Sequence, residues 1–418
     1  MGIVTTLKKQ GEETIFVQIA AYRDPELLPT LRDLFSKARY PDRIKVCIAW
    51  QHSTEDLWDN LNEFKDDTRV NIIDIDYATS TGACWARNLI QQEYNQEDWT
   101  LQLDSHHRFT EEWDESCITM VKELQRDGYK KPLLTSYIPS YNPDKEPDGR
   151  VNTPWGMSFD RFTPEGVVFF LPWYMEEGDI DKPLPARYYS AHFAFTLGKH
   201  AIEVQHDPEY YFHGEEITLA VRSYTHGYDL FHPNKVLAWH EYTRKNRTKQ
   251  WDDDSQWGDR NLACHKKVRS LLQVDNENEI VETKYGLGTE RTLEEYEIYS
   301  GIKFKDRSIS DRCKTNIVPP GSIEDIHHQT FRHAIDLHQA DFPLDDYTFC
   351  AFIFEDKNGT QIHREDMEGD DFLRRLKESK KDNGMFTVWK EYAGPKPDQI
   401  IIWSGNSEGW QNKKVMKL

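Results

Sequence analysis

Trp99-Thr100-Leu101-Gln102-Leu103-Asp104-Ser105-His106 is the stretch on which fold and chemistry both turn. Its first five residues alternate as a half-buried strand does, and on an extended backbone residues two apart point to the same side. Asp104 and His106 therefore aim a carboxylate oxygen and an imidazole nitrogen at one point just past a strand end. In open α/β sheets that rim is where ligands bind. One hard oxygen plus one imidazole, with room left for phosphate oxygens and water, suits an octahedral ion such as Mn²⁺. The plain alternative is a strand-end aspartate capping a turn, with His106 and His107 on the surface. A triplet this short does not decide between the two.

Upstream of this strand the chain alternates strand and helix patterns. Thr14 to Ala21 reads as a buried strand, and Asp24-Pro25-Glu26 starts a helix carrying Leu27, Leu28, Leu31, Leu34 and Phe35 on one side. Ile44 to Trp50 is a second strand, and Ser53 caps a predicted helix through Leu57, Trp58, Leu61 and Phe64. Val70 to Ile75 is a third strand, Gly82 to Glu93 a helix, and Trp99 to Asp104 the fourth strand. This order specifies a mostly parallel sheet with helices on its faces.

Downstream, a helix follows Glu111 and a strand spans Leu133 to Tyr137. Ile138 to Pro185, rich in Pro, Gly and aromatics, reads as irregular. Tyr188 to Leu197 is a strand, Gly214 to Tyr224 a helix, and Val236 to His240 a strand. Helical patterns cover Ser255 to Leu272 and Thr292 to Tyr299, with an acidic turn at Asp275 to Glu279 between them. We divide the chain into a lead-in at 1–13, a catalytic domain at 14–306, a linker at 307–324 around Pro319-Pro320-Gly321, and a small β-rich domain at 325–418. The strands of this last domain are Tyr347 to Phe354, Phe386 to Trp389 and Gln399 to Trp403, the first ending in the hairpin signal Asp356-Lys357-Asn358-Gly359.

At 418 residues, 38% of them hydrophobic and 13% aromatic, the chain can build real cores. Its net charge of −20 argues against nucleic acid or an anionic membrane as the general partner. No apolar run reaches membrane-spanning length, and Met1 to Glu13 lacks the apolar core of a secretory signal. The six cysteines, Cys47, Cys84, Cys117, Cys264, Cys313 and Cys350, form no Cys-x-x-Cys pair, so a reducing, cytoplasmic setting is expected.

Three further segments carry candidate chemistry. Phe212-His213-Gly214-Glu215-Glu216-Ile217 leads into a helix whose N-terminus favours negative charge; it is an ordinary cap or a set of acceptors for sugar hydroxyls. Trp239-His240-Glu241-Tyr242 ends an apolar strand, so His240 can complete a metal shell begun by Asp104 and His106. Arg244, Lys245, Arg247 and Lys249 follow directly, as a solvated face or as a clamp for a diphosphate. In Ser80-Thr81-Gly82-Ala83-Cys84-Trp85-Ala86-Arg87-Asn88, Arg87 can pair with a strand-end carboxylate such as Asp76 or Asp104.

These segments, with Phe16 to Asp24 and Asp104-Ser105-His106-His107-Arg108-Phe109, resemble a retaining glycosyltransferase of the GT-A fold. The resemblance covers roughly residues 14 to 250 and is to glycosyltransferase family 60, cytoplasmic N-acetylglucosaminyltransferases acting on hydroxyproline; it is more distant to mucin-type polypeptide N-acetylgalactosaminyltransferases. It implies a GT-A nucleotide-diphospho-sugar transferase domain, with Asp104, His106 and His240 binding Mn²⁺. It implies that Ala20, Ala21, Tyr22, Arg23 and Arg87 hold uridine and ribose, and that Ala191, His192 and Phe193 line the donor sugar. Glu215 would lie near the sugar hydroxyls and Arg244 against the diphosphate, the two catalytic roles, with Ser105, Gly214 and Glu216 completing the nucleotide-sugar site. Where the mucin-type enzymes carry Trp-Gly-Gly-Glu-Asn this chain reads Phe212 to Glu216, so their sugar specificity does not transfer.

The function this implies is Mn²⁺-dependent transfer of N-acetylglucosamine from UDP to a hydroxyl on a protein or a glycan, with retention. In the same-face scheme the diphosphate itself takes the acceptor proton, so no dedicated base is named. Trp155, Phe159, Trp173 and Tyr174 are candidates for an acceptor groove or for loop packing. The rival readings are a metal-dependent hydrolase and a carbohydrate-binding or adaptor protein in which the C-terminal domain acts. Acceptor binding and homodimerisation are the candidate roles of that domain.

Overall fold

The computed structural model describes residues 12–147, 149–176, 181–243, 247–274, 284–310, 313, 327–379 and 383–418. The N-terminal strands are β1 (Ile15–Tyr22), β2 (Ile44–His52), β3 (Val70–Asp76), β4 (Trp99–Asp104) and β5 (His107–Phe109), with helices α1 (Leu27–Lys37), α2 (Ala83–Gln92) and α3 (Trp113–Arg126) between and after them. Then come β6 (Pro132–Thr135), β7 (Trp155–Phe162), β8 (Val168–Tyr174), β9 (Leu184–Pro185), β10 (Phe193–Leu197), α4 (His200–Glu203), α5 (Glu215–Thr225), β11 (Asp229–His232), β12 (Ala238–His240), α6 (Gln250–Asp253), α7 (Trp257–Leu272) and α8 (Leu293–Ser300).

The central sheet runs β3-β2-β1-β4-β10-β6-β11-β9. The β3-β2, β2-β1, β1-β4 and β6-β11 pairings are parallel, whereas β10 is antiparallel to both β4 and β6. It is the mixed, mostly parallel sheet expected of the GT-A fold. Its inner strands are buried on both faces, with Ile15, Val17 and Ile19 on one side of β1 and Phe16 on the other. The chain reverses its order of strand addition at β1, which places the switch point between the carboxyl ends of β1 and β4, where Ala20 is in register with Asp104.

Two departures from the sequence reading lie near this rim. Residues 53–64 form successive turns, not a helix. Their side chains have tertiary partners that a helix would break: Asp56 binds Arg23 at 2.7 Å and Asp59 accepts from Trp50 Nε1 at 2.8 Å. Leu61 and Phe64 reach the core while Leu57 is 87% exposed. The stretch read as irregular, Ile138 to Pro185, contains the antiparallel hairpin of β7 and β8, which packs Met157, Phe159, Phe162, Val168 and Phe170 into a second core with α5 and α7.

The C-terminal part is β-rich, as expected. Strands β13 (Ile302–Lys303), β14 (Ser308–Ser310), β15 (His327–His338) and β18 (Met385–Ala393) form one sheet, and β17 (Gln361–Glu368), β16 (Tyr347–Glu355), β19 (Gln399–Asn406) and β20 (Gly409–Lys417) another. A helix absent from the sequence reading, α9 (Gly369–Ser379), covers this core with Phe372 and Leu376. Of the stretch read as a linker, Ser308–Ser310 pairs with β15; most of the rest, and the acidic turn at 275–279, lies outside the described residues.

One backbone position decides how α5 enters the site. Gly214 caps that helix at φ 97°, and a Cβ there would stand 2.5 Å from Val268 Cγ2 on α7. Left-handed strain and overlap with a buried β-branched side chain act together. Gly214→Ala is expected to lower unfolding free energy by about 2–4 kcal/mol, read from urea denaturation; a loss within error of zero would refute this account of the turn.

Candidate active site

Asp104 ends β4 and His106 lies two residues on, in a turn stapled by Thr30 of α1. The Thr30 hydroxyl donates to the Ser105 carbonyl at 2.9 Å and accepts from the His107 amide at 2.9 Å. A two-stranded ribbon then brings in the third residue: β12 pairs antiparallel with β5, setting His240 opposite His107, and the Glu241 amide donates to the His106 carbonyl at 3.2 Å. The result is a convergence of one carboxylate oxygen and two imidazole nitrogens. His240 Nε2 and His106 Nε2 stand 3.4 and 3.6 Å from Asp104 Oδ2. These separations are long for hydrogen bonds and suit atoms sharing one ion between them.

The surroundings fit a metal. Asp24 Oδ2 lies 2.7 Å from His106 Nδ1, the carboxylate–histidine arrangement that fixes the ring and leaves Nε2 to a ligand. The same carboxylate accepts from Ser105 Oγ at 2.6 Å and Arg247 at 3.0 Å, and its Oδ1 accepts from the Glu26 amide at 2.9 Å at the start of α1. Burial opposes its charge, but His106 and Arg247 hold Asp24 well below the usual carboxylate range. His240 packs against His192, centroids 4.2 Å apart, and Tyr242, 4.3 Å; its Nδ1 is buried without a partner. Burial pushes His240 and His192 down, His192 to about 3, which favours the neutral ring that ligation by His240 requires.

Beneath this group lies Arg87, buried on α2. It donates to Asp104 Oδ1 at 2.6 Å and bonds Glu215 Oε1, while Cys84 Sγ donates to Glu215 Oε2 at 2.7 Å. Burial would raise Asp104, but His240 and Arg87 hold it far down; burial dominates at Glu215, which is raised. The shared cation thus opposes the effect of burial at both carboxylates and outweighs it at the one that faces the cleft.

That cleft is lined by Ala20, Tyr22, Asp24, Gln51, Gly82, Asp104, Ser105, His106, Tyr211, His240, Arg247, Lys249, Gln250 and Trp251. Of the residues expected to bind nucleotide-sugar, Ala20, Tyr22, Asp104 and Ser105 line it, together with the metal-type residues His106 and His240. Ala21 and Phe193 are core residues, and Arg23 is tied at the rim to Asp56 and to Asp253 at 2.9 Å. Ala191 accepts from Gln102 at 2.7 Å, and Glu216 takes the Ala191 amide at 3.0 Å and the Tyr137 hydroxyl at 2.7 Å. Gly214, Glu215 and Glu216 stand behind the cleft wall, where Glu215 reaches the site through Arg87. Arg244 and Lys245 lie outside the described residues, and Arg247 and Lys249 of the same basic run face the cleft. A larger open groove between α2 and α7 has its cations matched, Arg260 to Asp254 at 3.1 Å and Lys267 to Asp207 at 2.5 Å.

The sequence reading missed Asp24, Gln51, Tyr211 and Gln250. Asp24 was legible only as a helix start, since its second role needs His106 from a distant turn. Among the acceptor candidates, Phe159 is a core residue, whereas Trp155 sits 6.0 Å from Tyr242 and 5.0 Å from the 60% exposed Tyr174. All six cysteines are buried and unbridged. No helix among the described residues is long and apolar enough to cross a membrane.

The family model described as Glycosyltransferase (GlcNAc) matches residues 14–66 and 58–306 of this chain. No curated protein matches it. Among solved structures, GalNAc-T7 with UDP, GalNAc and Mn²⁺ is similar at 12% identity over 68% of this chain and 54% of that one, TM-score 0.46. The chain therefore spans about half the length of that structure. S. aureus TarS 1-349 in complex with UDP-GlcNAc is similar at 11% identity, 70% of this chain and 72% of that one, TM-score 0.41. The mannosyltransferase PcManGT from Pyrobaculum calidifontis with GDP-Man and Mn²⁺ is similar at 12% identity, 61% and 63%, TM-score 0.37.

The half-buried Glu216, whose carboxyl is turned toward Tyr137 and the Ala191 amide, makes stability depend on pH. Burial pushes it up from about 4.5 to about 7, so the folded state binds a proton that the unfolded state releases earlier. Its contribution is full below pH 4.5 and is lost as pH rises through 7. The size is on the order of 3 kcal/mol at 1.4 per pH unit. Urea midpoints should fall between pH 5 and pH 8 in the wild type, and Glu216→Gln should flatten that fall; an unchanged slope in the variant would contradict the assignment.

Proposed function

The chain belongs to the Glycosyltransferase (GlcNAc) family, and from that premise we propose that it is a retaining, Mn²⁺-dependent transferase moving N-acetylglucosamine from UDP-GlcNAc to a hydroxyl. The acceptor is a protein hydroxyl, hydroxyproline, serine or threonine, or a glycan hydroxyl, and the setting is the cytoplasm, in line with six unbridged cysteines. The observation that carries this reading is the convergence of Asp104, His106 and His240 at the carboxyl end of β4, inside a cleft shared with the end of β1.

In this reading Asp104, His106 and His240 hold the ion, whose positive charge, when bound, offsets negative charge growing on the departing diphosphate. The chain's own residues do the rest. Ala20 and Tyr22 form the wall for the nucleoside, with the Tyr22 ring fixed through its hydroxyl to Asp253 at 2.8 Å. Arg247 and Lys249 line the cleft, and Arg244 is assigned to the diphosphate. Such preorganised donors act most strongly on charge that develops in the transition state. Arg87 holds Asp104 ionised and aimed, and Glu215 holds Arg87. Ala191 and His192, fixed from behind by Glu216 and Tyr137, form the sugar-side wall.

The test is UDP release from a panel of UDP-sugars, with Mn²⁺ or with EDTA. Selective, metal-dependent release from UDP-N-acetylglucosamine is expected, and Asp104→Asn should lower it by at least about 10²-fold with an unchanged far-UV circular dichroism spectrum. Full activity in that variant would overturn the site. Absence of both release and metal-dependent UDP binding in the wild type would favour the binding-module reading.

A further inference from the structure

The β7–β8 hairpin touches two distant parts of the molecule. At its open end Trp155 pairs with Tyr174, and the Trp155 ring lies against Tyr242, two residues beyond His240. Five residues along β7, about 17 Å at strand rise, is Asp160, whose side chain is only 5% exposed. Its carboxylate is clasped by two guanidiniums, one from Arg161 of the hairpin itself and one from Arg332 on β15 of the C-terminal sheet. Both cations also face one indole: Arg332 lies 4.9 Å and Arg161 5.4 Å from the ring centroid of Trp389 on β18. An aspartate this buried, shared across a junction, resists displacement because moving it away from its guanidiniums would strand a desolvated charge.

We propose that the C-terminal β region serves as a splint for the wall beside the metal-type group, with Arg332 and Trp389 as positioning residues acting through Asp160 and the hairpin on Trp155 and Tyr174. This rests on the transferase reading only in making that wall the acceptor side; the mechanical coupling stands apart from it. β7–β8 forms a separate two-stranded sheet; one face is held by the second core through Met157, Phe159 and Phe170, and the Asp160–Arg332 pair adds a brace from the C-terminal sheet to a hairpin that alone would be marginal.

Hydrogen exchange by mass spectrometry on the full chain tests this, comparing wild type, Arg332→Gln, Arg332→Lys and Trp389→Ala. In Arg332→Gln and Trp389→Ala, amides of 155–158 and 171–174 should exchange about tenfold faster, with those of β1 and β4 unchanged. Arg332→Lys, which keeps the charge on Asp160, should recover most of that protection. Metal-dependent affinity for UDP, measured by calorimetry with Mn²⁺, should stay within about twofold of wild type in all variants. Faster exchange confined to residues around Asp160, or no recovery in Arg332→Lys, would overturn the splint. Should Arg332→Gln fail to fold, Trp389→Ala, which leaves the ion pair intact, decides alone. Wild-type protein without metal-dependent UDP binding would instead overturn the transferase reading and leave the exchange result standing.

Discussion

The site depends on one buried cation. Arg87 projects from the first turns of α2 and joins two carboxylates that the chain supplies from places far apart, Asp104 at the end of β4 and Glu215 at the start of α5. Burying Arg87 and Glu215 is costly, and the arrangement holds because the cation compensates both carboxylates. Removing Arg87 would leave Glu215 buried without its cation, at a cost of about 3–5 kcal/mol. Two of the cores of the catalytic region meet across this contact, since β4 belongs to one and α5 to the other. What fixes the metal-type carboxylate is therefore also what docks the halves of the domain.

Around that cation the geometry follows from short local devices. Asp24 links the first strand–helix turn to His106, and Thr30 ties α1 to the Ser105–His107 turn. The β5–β12 ribbon carries His240 back across more than a hundred residues of chain to the same point. None of these devices is strong alone. Together they leave the rings of His106 and His240 little rotational freedom, so an ion entering the group would meet ligands already oriented.

The parallel half of the sheet was legible because β1, β2 and β4 are buried, nearly continuous apolar runs and the amphipathic helices α1 and α2 have recognisable starts. The metal-type trio was legible from strand ends, since Asp104, His106 and His240 each follow an apolar strand. Legibility failed where partners are distant in sequence. Residues 53–64 carry a helical apolar spacing, yet Asp56 and Asp59 find Arg23 and Trp50 and the backbone turns instead. The β7–β8 hairpin was hidden because its aromatic and proline content reads as loop, while its stability comes from Met157, Phe159 and Phe170 meeting α5 and α7. Glu215 and Glu216 were placed correctly at a helix start, but burial turned them from surface acceptors into the supports of Arg87 and Ala191.

The carboxylates near the trio bear on the choice between transfer and hydrolysis. A hydrolase of this kind needs a carboxylate or imidazole placed to take a proton from water. Asp24 engages His106, Ser105, Arg247 and the Glu26 amide. Glu215 is held by Arg87 and Cys84, Glu216 by Tyr137 and the Ala191 amide, and Glu241 accepts from the Thr243 amide and hydroxyl. Each carboxylate around the group is thus committed to a structural donor, and His192, pushed to about 3 by burial, is a poor base. A same-face transfer asks for none of them, because the leaving diphosphate accepts the proton. The engagement of these carboxylates favours a reaction in which the protein does not activate water, and Arg247, which lines the cleft, is itself one of the donors that hold Asp24.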